Sequence, residues 1–215
     1  MTTRGDVRAT YDRIAGHFAE KRRQPWPAVE SFISERAGAV GLDLGAGNGR
    51  HAELLADRAD RVLGIDISRA ALETAADRAG RKGYAIEVLQ GDAAGLPLRT
   101  ASIDLAVYIA TLHHLPSRTL RVRSLDELAR VLASDGEALV SAWSVSHETF
   151  DADAGFDTTV DWTLPDGETV PRYYHIYDLA EFEADLVASG LQPQDTFEAA
   201  GNCYGVVTSP ERNAQ

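Results

Sequence analysis

Leu42-Asp43-Leu44-Gly45-Ala46-Gly47-Asn48-Gly49-Arg50 decides how this chain is read. Ala39, Val40, Gly41 and Leu42 lead into Asp43 and Leu44, and glycines then fall at alternate positions. His51-Ala52-Glu53-Leu54-Leu55-Ala56 follows with helical composition. Strand, tight glycine turn and helix are the opening of a nucleotide-binding α/β unit. Glycine lets the backbone turn sharply and approach a ligand closely, because no Cβ intervenes.

Spacing separates the two ligand classes that use such a turn. A dinucleotide fingerprint requires a small residue three positions after Gly47, where Arg50 stands. The D-x-G-x-G-x-G pattern instead resembles motif I of the class I S-adenosylmethionine methyltransferases. That resemblance puts cofactor contacts on Asp43, Gly45, Ala46, Gly47, Asn48 and Gly49. A second apolar run, Val62-Leu63-Gly64-Ile65, ends in Asp66, with Ile67 next to it. An acid at this strand end, about 20 residues after the first glycine, can accept both ribose hydroxyls.

The chain has 215 residues, 44% hydrophobic and 25% charged, which is the composition of one globular domain. We expect residues 1–209 to form that domain and 210–215 to be a disordered tail. No apolar stretch approaches the ~20 residues that span a bilayer, and the N-terminus lacks a signal-peptide pattern. A cytoplasmic protein is expected, with no membrane partner. Cys203 is the only cysteine, which excludes an intrachain disulfide and a cysteine metal cluster. The net charge is −12, and Lys21 and Lys82 are the only lysines. Dispersed acids and few lysines suit a high-salt cytoplasm, as in a halophilic archaeon; the rival is a low-salt protein with a cationic partner. The basic footprint usual for nucleic-acid binding is missing globally, so it must be local or supplied by another subunit.

Along the chain, Val7, Tyr11, Ile14 and Phe18 recur at helical spacing. A polar turn broken by Pro25 and Pro27 follows, then a second helix from Val29 to near Gly38. The two helices are either a lid over the cofactor or a packing pair; Arg22 beside Trp26 suits a carboxylate and favours the lid. Strands are expected at 60–67, 84–89, 102–110, 137–143, 194–199 and 204–208, with helices at 68–79, 118–132 and 179–188. Asp92-Ala93 after the third strand lies beside the adenine in the methyltransferase arrangement, or Asp92 is a turn acid. The fourth strand, which carries Ile109 at its end and closes at Ala110, leads to His113-His114, facing the transferable methyl group. No acid or cysteine stands at ligand spacing there, so no metal site is expected. Arg118, Arg121 and Arg123 form the most basic stretch, read as a solvated helix face or a phosphate patch. From Ser144 to Val170 regular patterning lapses, which marks a functional or mobile insertion. Pro171-Arg172-Tyr173-Tyr174-His175-Ile176-Tyr177 reads as an aromatic strand or as a stacking and anion-binding surface.

Together these pieces resemble the tRNA wobble-uridine carboxymethyl methyltransferases, over most of the chain from Tyr11 to Val207. The resemblance rests on Ile14-Ala15-Gly16-His17-Phe18, Arg22-Arg23-Gln24-Pro25-Trp26-Pro27, His113-His114, Arg172-Tyr173-Tyr174-His175 and Gly201-Asn202. Ala46 replaces the family's usual cysteine, and Lys21 its usual threonine. The resemblance implies an α/β Rossmann-like fold with a seven-stranded, mostly parallel sheet in the order 3-2-1-4-5-7-6. Helices would cover both faces, under an N-terminal helical lid. It implies S-adenosylmethionine as cofactor, with Trp26, Ile67, Asp92, Ala93 and Ile109 added to the cofactor set. The implied reaction is esterification of the carboxylate of 5-carboxymethyluridine at tRNA position 34, yielding S-adenosylhomocysteine. Arg22 or Arg172 would hold the carboxylate, with His113, Tyr173, His175 and Asn202 shaping the uridine site. A carboxylate is already ionised at neutral pH, so no strong base is needed. The family also works with a small zinc-binding activator protein, which would add to the sheet edge near Ile86 to Leu89. The rivals are a methyltransferase of a small carboxylic acid or other metabolite, and a non-catalytic cofactor-binding partner.

Overall fold

A computed structural model of the chain describes residues 2–209. The expected tail at 210–215 lies outside the described residues. Ser209, the last residue of the expected domain, is buried and donates through Oγ to the Ser134 carbonyl.

Helix α1 (Arg4–Lys21) begins at Thr3, whose side chain and Asp6 form a reciprocal capping box. It runs a turn further at each end than the apolar spacing indicates. Helix α2 (Pro27–Ser34) starts on a proline at its first position and buries Val29, Phe32 and Ile33. The units β1 (Gly38–Leu44), α3 (Ala52–Ala56), β2 (Ala59–Asp66), α4 (Arg69–Lys82) and β3 (Glu87–Gln90) follow. Next come β4 (Ile103–Tyr108), a short 3-10 turn at Leu112–His114, α5 (Arg118–Val131) and β5 (Leu132–Trp143). Ser134-Asp135-Gly136, which precede the strand expected at 137–143, form a bulge within β5: pairing jumps from Ile103–Leu132 to Leu105–Glu137. The chain closes with β6 (Phe156–Thr163), β7 (Thr169–Ile176), α6 (Leu179–Ala188), β8 (Gln192–Ala199) and β9 (Asn202–Thr208).

Seven strands form one sheet in the order β3-β2-β1-β4-β5-β9-β8. With β6 and β7 set aside, this is the expected 3-2-1-4-5-7-6 order. β3 to β5 run parallel and β9 is antiparallel to both its neighbours. The central strands are buried on both faces, and their apolar runs fill a core on each side of the sheet. β3 is the weakest element: four residues, all exposed, on an open edge.

The stretch expected to be irregular holds a separate hairpin, β6 paired antiparallel with β7. Phe156, Thr158, Val160 and Trp162 alternate with Asp157, Thr159, Asp161 and Thr163, so the period of a half-buried strand is present in polar guise. The hairpin stands over the carboxyl end of the sheet and packs on α1 through Ile14, Trp162 and Val170. α1 and the hairpin together roof the place where an open α/β sheet binds ligands.

Candidate active site

A cavity of about 290 Å³ opens beyond the carboxyl ends of β1, β2 and β4. The glycine turn forms its floor. Gly45 has φ +74°, and a Cβ there would stand 2.1 Å from Thr111 Oγ1, so the turn and the β4 loop meet only at glycine. Gly47 donates its N–H to Asp66 Oδ2 at 2.8 Å, and Ser68 N–H donates to Asp66 Oδ1 at 2.8 Å. Asp66 thus clamps the turn to the end of β2 while still facing the cavity; burial raises its pKa.

Of the expected cofactor residues, Gly45, Ala46, Gly47, Asn48, Asp66, Ile67, Asp92, Ala93, Ile109 and Trp26 line this cavity. Asp43 and Gly49 do not. Asp43 is 1% exposed and accepts from Ala52 N–H at 2.9 Å, pinning the start of α3 from behind the turn. A Cβ on Gly49 would touch Ala75 and Tyr84 at 3.1 Å, so this glycine serves helix packing. Asp92 is ion-paired with Arg4 of α1 and accepts from Ala94 N–H. The lid therefore reaches across to the acid assigned to the adenine end. Asp12 fixes the lid further, accepting from Ser68 Oγ and Ala70 N–H at the start of α4.

The opposite wall carries the candidate substrate residues. β7 alternates, so Arg172 and Tyr174 line the cavity while Tyr173 and His175 turn away. Tyr173 hydroxyl donates to Asp157, and His175 lies between Asp157 Oδ1 and Glu181 Oε1 at 2.8 and 2.9 Å. Placing Tyr173 and His175 in the uridine site is thus corrected: they bind the hairpin to α6. Tyr174, absent from the expected set, lines the cavity instead, and the period of two was the signal for it.

The histidine pair divides its work. His114 Nδ1 faces the Tyr173 carbonyl at 2.9 Å, which only accepts, so Nδ1 carries the proton and Nε2 accepts from Tyr11 hydroxyl at 2.6 Å. His114 thus joins lid, β4 loop and hairpin, and burial pushes its pKa down to about 3. His113 Nδ1 accepts from Trp143 N–H at 3.0 Å, which leaves the proton on Nε2. That nitrogen is buried without a partner, and the ring stacks on Tyr174 at 4.7 Å. Burial, then the neighbouring His114, holds its pKa well below the usual histidine range. Asn202 lines the same wall, donates to the Ala200 carbonyl and keeps a buried, unpartnered Oδ1. Beside it Gly201 (φ +73°) makes room for His147, which stacks on Trp143; a Cβ would come within 2.6 Å of that ring.

Three arginines line the cavity without an ion pair to any described residue: exposed Arg22, and Arg50 and Arg172, both nine-tenths buried. Arg172 lies over Trp162 and Tyr174 at 5.0 and 5.1 Å, and its Nε is buried and unpartnered. Trp26 receives Arg50 at 5.3 Å rather than Arg22, whose guanidinium lies toward Trp162 at 5.9 Å. Among the described residues no cluster of metal-ligating side chains occurs, and no helix is long and apolar enough to cross a membrane.

A methyltransferase-domain family model matches residues 42–140, from the glycine turn to the fifth strand of the sheet. The chain carries a class I methyltransferase domain. S-adenosylmethionine is the cofactor of such domains, and this cavity suits it: a glycine floor without Cβ atoms, an acid at the end of β2, and unpaired guanidinium groups. A tRNA (carboxymethyluridine(34)-5-O)-methyltransferase of Arabidopsis thaliana is 38% identical over 143 residues, 66% of this chain and 33% of the relative. The protein of that name from Saccharomyces cerevisiae is 31% identical over 171 residues, 77% of this chain and 59% of its own length. The chain thus spans from a third to about three-fifths of these relatives. Among solved structures, the Haloferax volcanii complex of the Trm112 methyltransferase activator with a methyltransferase aligns with TM-score 0.69 at 18% identity. That alignment covers 97% of this chain and 100% of the other.

Proposed function

We propose that this protein methylates the carboxylate of 5-carboxymethyluridine at the wobble position of tRNA. One observation carries the reading: the substrate wall presents the buried Arg172 guanidinium, without an ion pair to any described residue, beside neutral donors. His113 and His114 resist protonation, and Asp43 stands outside the cavity. Such a wall suits a nucleophile that arrives already ionised. A carboxylate with a pKa near 4 does so; a hydroxyl or amine does not. The names of the relatives supply the carboxylate's carrier.

S-adenosylmethionine, when bound, supplies an electrophilic methyl group. The chain's part is orientation. Arg172 offers its Nε and terminal nitrogens to the carboxylate, and Trp162 and Tyr174 hold the guanidinium plane in place. His113 Nε2–H and Asn202 Oδ1 are the donor and acceptor left for the uracil edge. Tyr11 and α1 exclude water above them. Exposed Arg22, with Lys21 and Arg23, forms a local basic mouth on an otherwise acidic chain.

We further propose a small activator subunit, zinc-binding as in the resembled family, on the open edge at β3. Val88 and Leu89 are 38% and 42% exposed there, and the activator complex of the Haloferax volcanii relative supports the pairing. The test is Arg172→Ala assayed on tRNA carrying 5-carboxymethyluridine. A fall in kcat/KM of about 100-fold or more, with cofactor affinity unchanged, is expected from losing a charge-assisted bidentate contact. Wild-type turnover in the variant, or equal loss of cofactor binding, contradicts the assignment.

A further inference from the structure

Arg50 has no task in the carboxylate site, yet its setting calls for one. It follows the glycine turn, is 9% exposed and forms part of the cavity wall. Its guanidinium lies over the Trp26 ring and makes no hydrogen bond or ion pair with any described residue. The acid whose charge bears on it, Asp43, gives its Oδ2 to Ala52 N–H. Burial, then repulsion from Arg22, pulls the Arg50 pKa down to about 10. The next residue, His51, is also buried in the wall, with Nε2 unpartnered. Burying a cation and a polar nitrogen side by side without partners is costly, so this corner is incomplete without an anionic ligand.

Exposure decides which anion. A phosphodiester within RNA carries a ribose on each side and needs an open surface, which exposed Arg22 provides. A group nine-tenths buried beside the glycine turn is reached by a small anion on a short, flexible chain. The cofactor has one, on its amino-acid end. We propose that Arg50 is a cofactor-binding residue whose guanidinium holds the α-carboxylate of S-adenosylmethionine, with Trp26 as its stacking support and His51 beside it. Arg50 then makes the cavity select adenosine thioethers that carry the amino acid over those that lack it. The assignment depends on the cofactor alone, so it stands or falls independently of the tRNA substrate.

The test is calorimetric titration of the cofactor-free protein with S-adenosylhomocysteine and with 5′-methylthioadenosine, the same thioether without the amino-acid end. Arg50→Met weakens S-adenosylhomocysteine by roughly 10- to 100-fold, as expected for a charge-assisted pair, and leaves 5′-methylthioadenosine within about twofold. Arg50→Lys keeps most of the preference because it keeps the charge. Without ligand, Arg50→Met melts no lower than wild type, since an apolar side chain of similar length replaces an unpaired buried charge. If Arg50→Met does not fold, Arg50→Gln takes its place in the same titrations. Unchanged S-adenosylhomocysteine affinity overturns the proposal and leaves a phosphate as the anion at this corner. An equal fall for both ligands also overturns it, and makes Arg50 a support of the turn.

Discussion

Asp43→Asn separates the two roles open to the acid of the glycine motif. In the structure its carboxyl is 1% exposed, faces away from the cavity and accepts one hydrogen bond, from Ala52 N–H. Burial outweighs that bond and the Arg50 charge, and pushes its pKa from 3.8 to about 7. A gap of this size corresponds to a cost on the order of 4 kcal/mol for keeping the group ionised in the folded chain. The sign follows from proton binding. Between pH 4 and 7 the folded protein retains a proton that the unfolded chain releases, so the Asp43 contribution is full below about pH 4. It is lost as pH rises through 7. His51, His113 and His114, all with lowered pKa values, slope the other way, losing stability as pH falls below about 6.5. They are common to wild type and variant and cancel in the difference. The asparagine amide oxygen accepts the same bond at no ionisation cost. Urea unfolding of both proteins at pH 5 and pH 8, without cofactor, gives the comparison. The variant gains on wild type by a few kcal/mol on going to the higher pH. Parallel stability curves would refute the burial argument and return Asp43 to direct ligand contact.

Two further predictions concern faces and edges. Tyr173→Phe, outside the cavity, leaves kcat/KM within about twofold, whereas Tyr174→Leu, which removes the ring stacked on His113, lowers it by roughly 3- to 10-fold; steady-state kinetics in which the two variants trade places would break the alternation argument. Leu89→Glu on the open β3 edge prevents co-purification of the activator subunit but leaves the melting temperature of the isolated chain within a few degrees, because the side chain is 42% exposed.

The glycine turn, the central strands and most helices were legible because each is written in local period and spacing, whereas the sheet order came only with the family resemblance. The apolar run of β4 and the Ser68 cap of α4 are examples. The β6–β7 hairpin escaped because threonine and aspartate mask its alternation, and because its apolar side packs on α1, some 145 residues earlier at the Trp162–His17 hydrogen bond. The cavity residues on β7 needed only the rule that neighbours on a strand point apart. Reading all of Arg172, Tyr173 and His175 into one site ignored it. Asp43 and Gly49 show the opposite limit. Their motif is unmistakable, but whether a motif residue meets ligand or holds the turn from behind depends on Ala52, Ala75 and Tyr84, which only the folded chain brings near. Arg4 on Asp92 and Tyr11 on His114 are likewise long-range pairings that no spacing announces.

The most direct measurement is nucleoside mass spectrometry of tRNA bearing 5-carboxymethyluridine, incubated with S-adenosylmethionine and the protein co-expressed with the proposed activator subunit. The account predicts a new methyl ester at the wobble uridine that requires the cofactor and disappears with Arg172→Ala. A folded complex that binds the cofactor and leaves the carboxymethyl group unesterified would contradict it, and would direct the site to a small carboxylic acid instead.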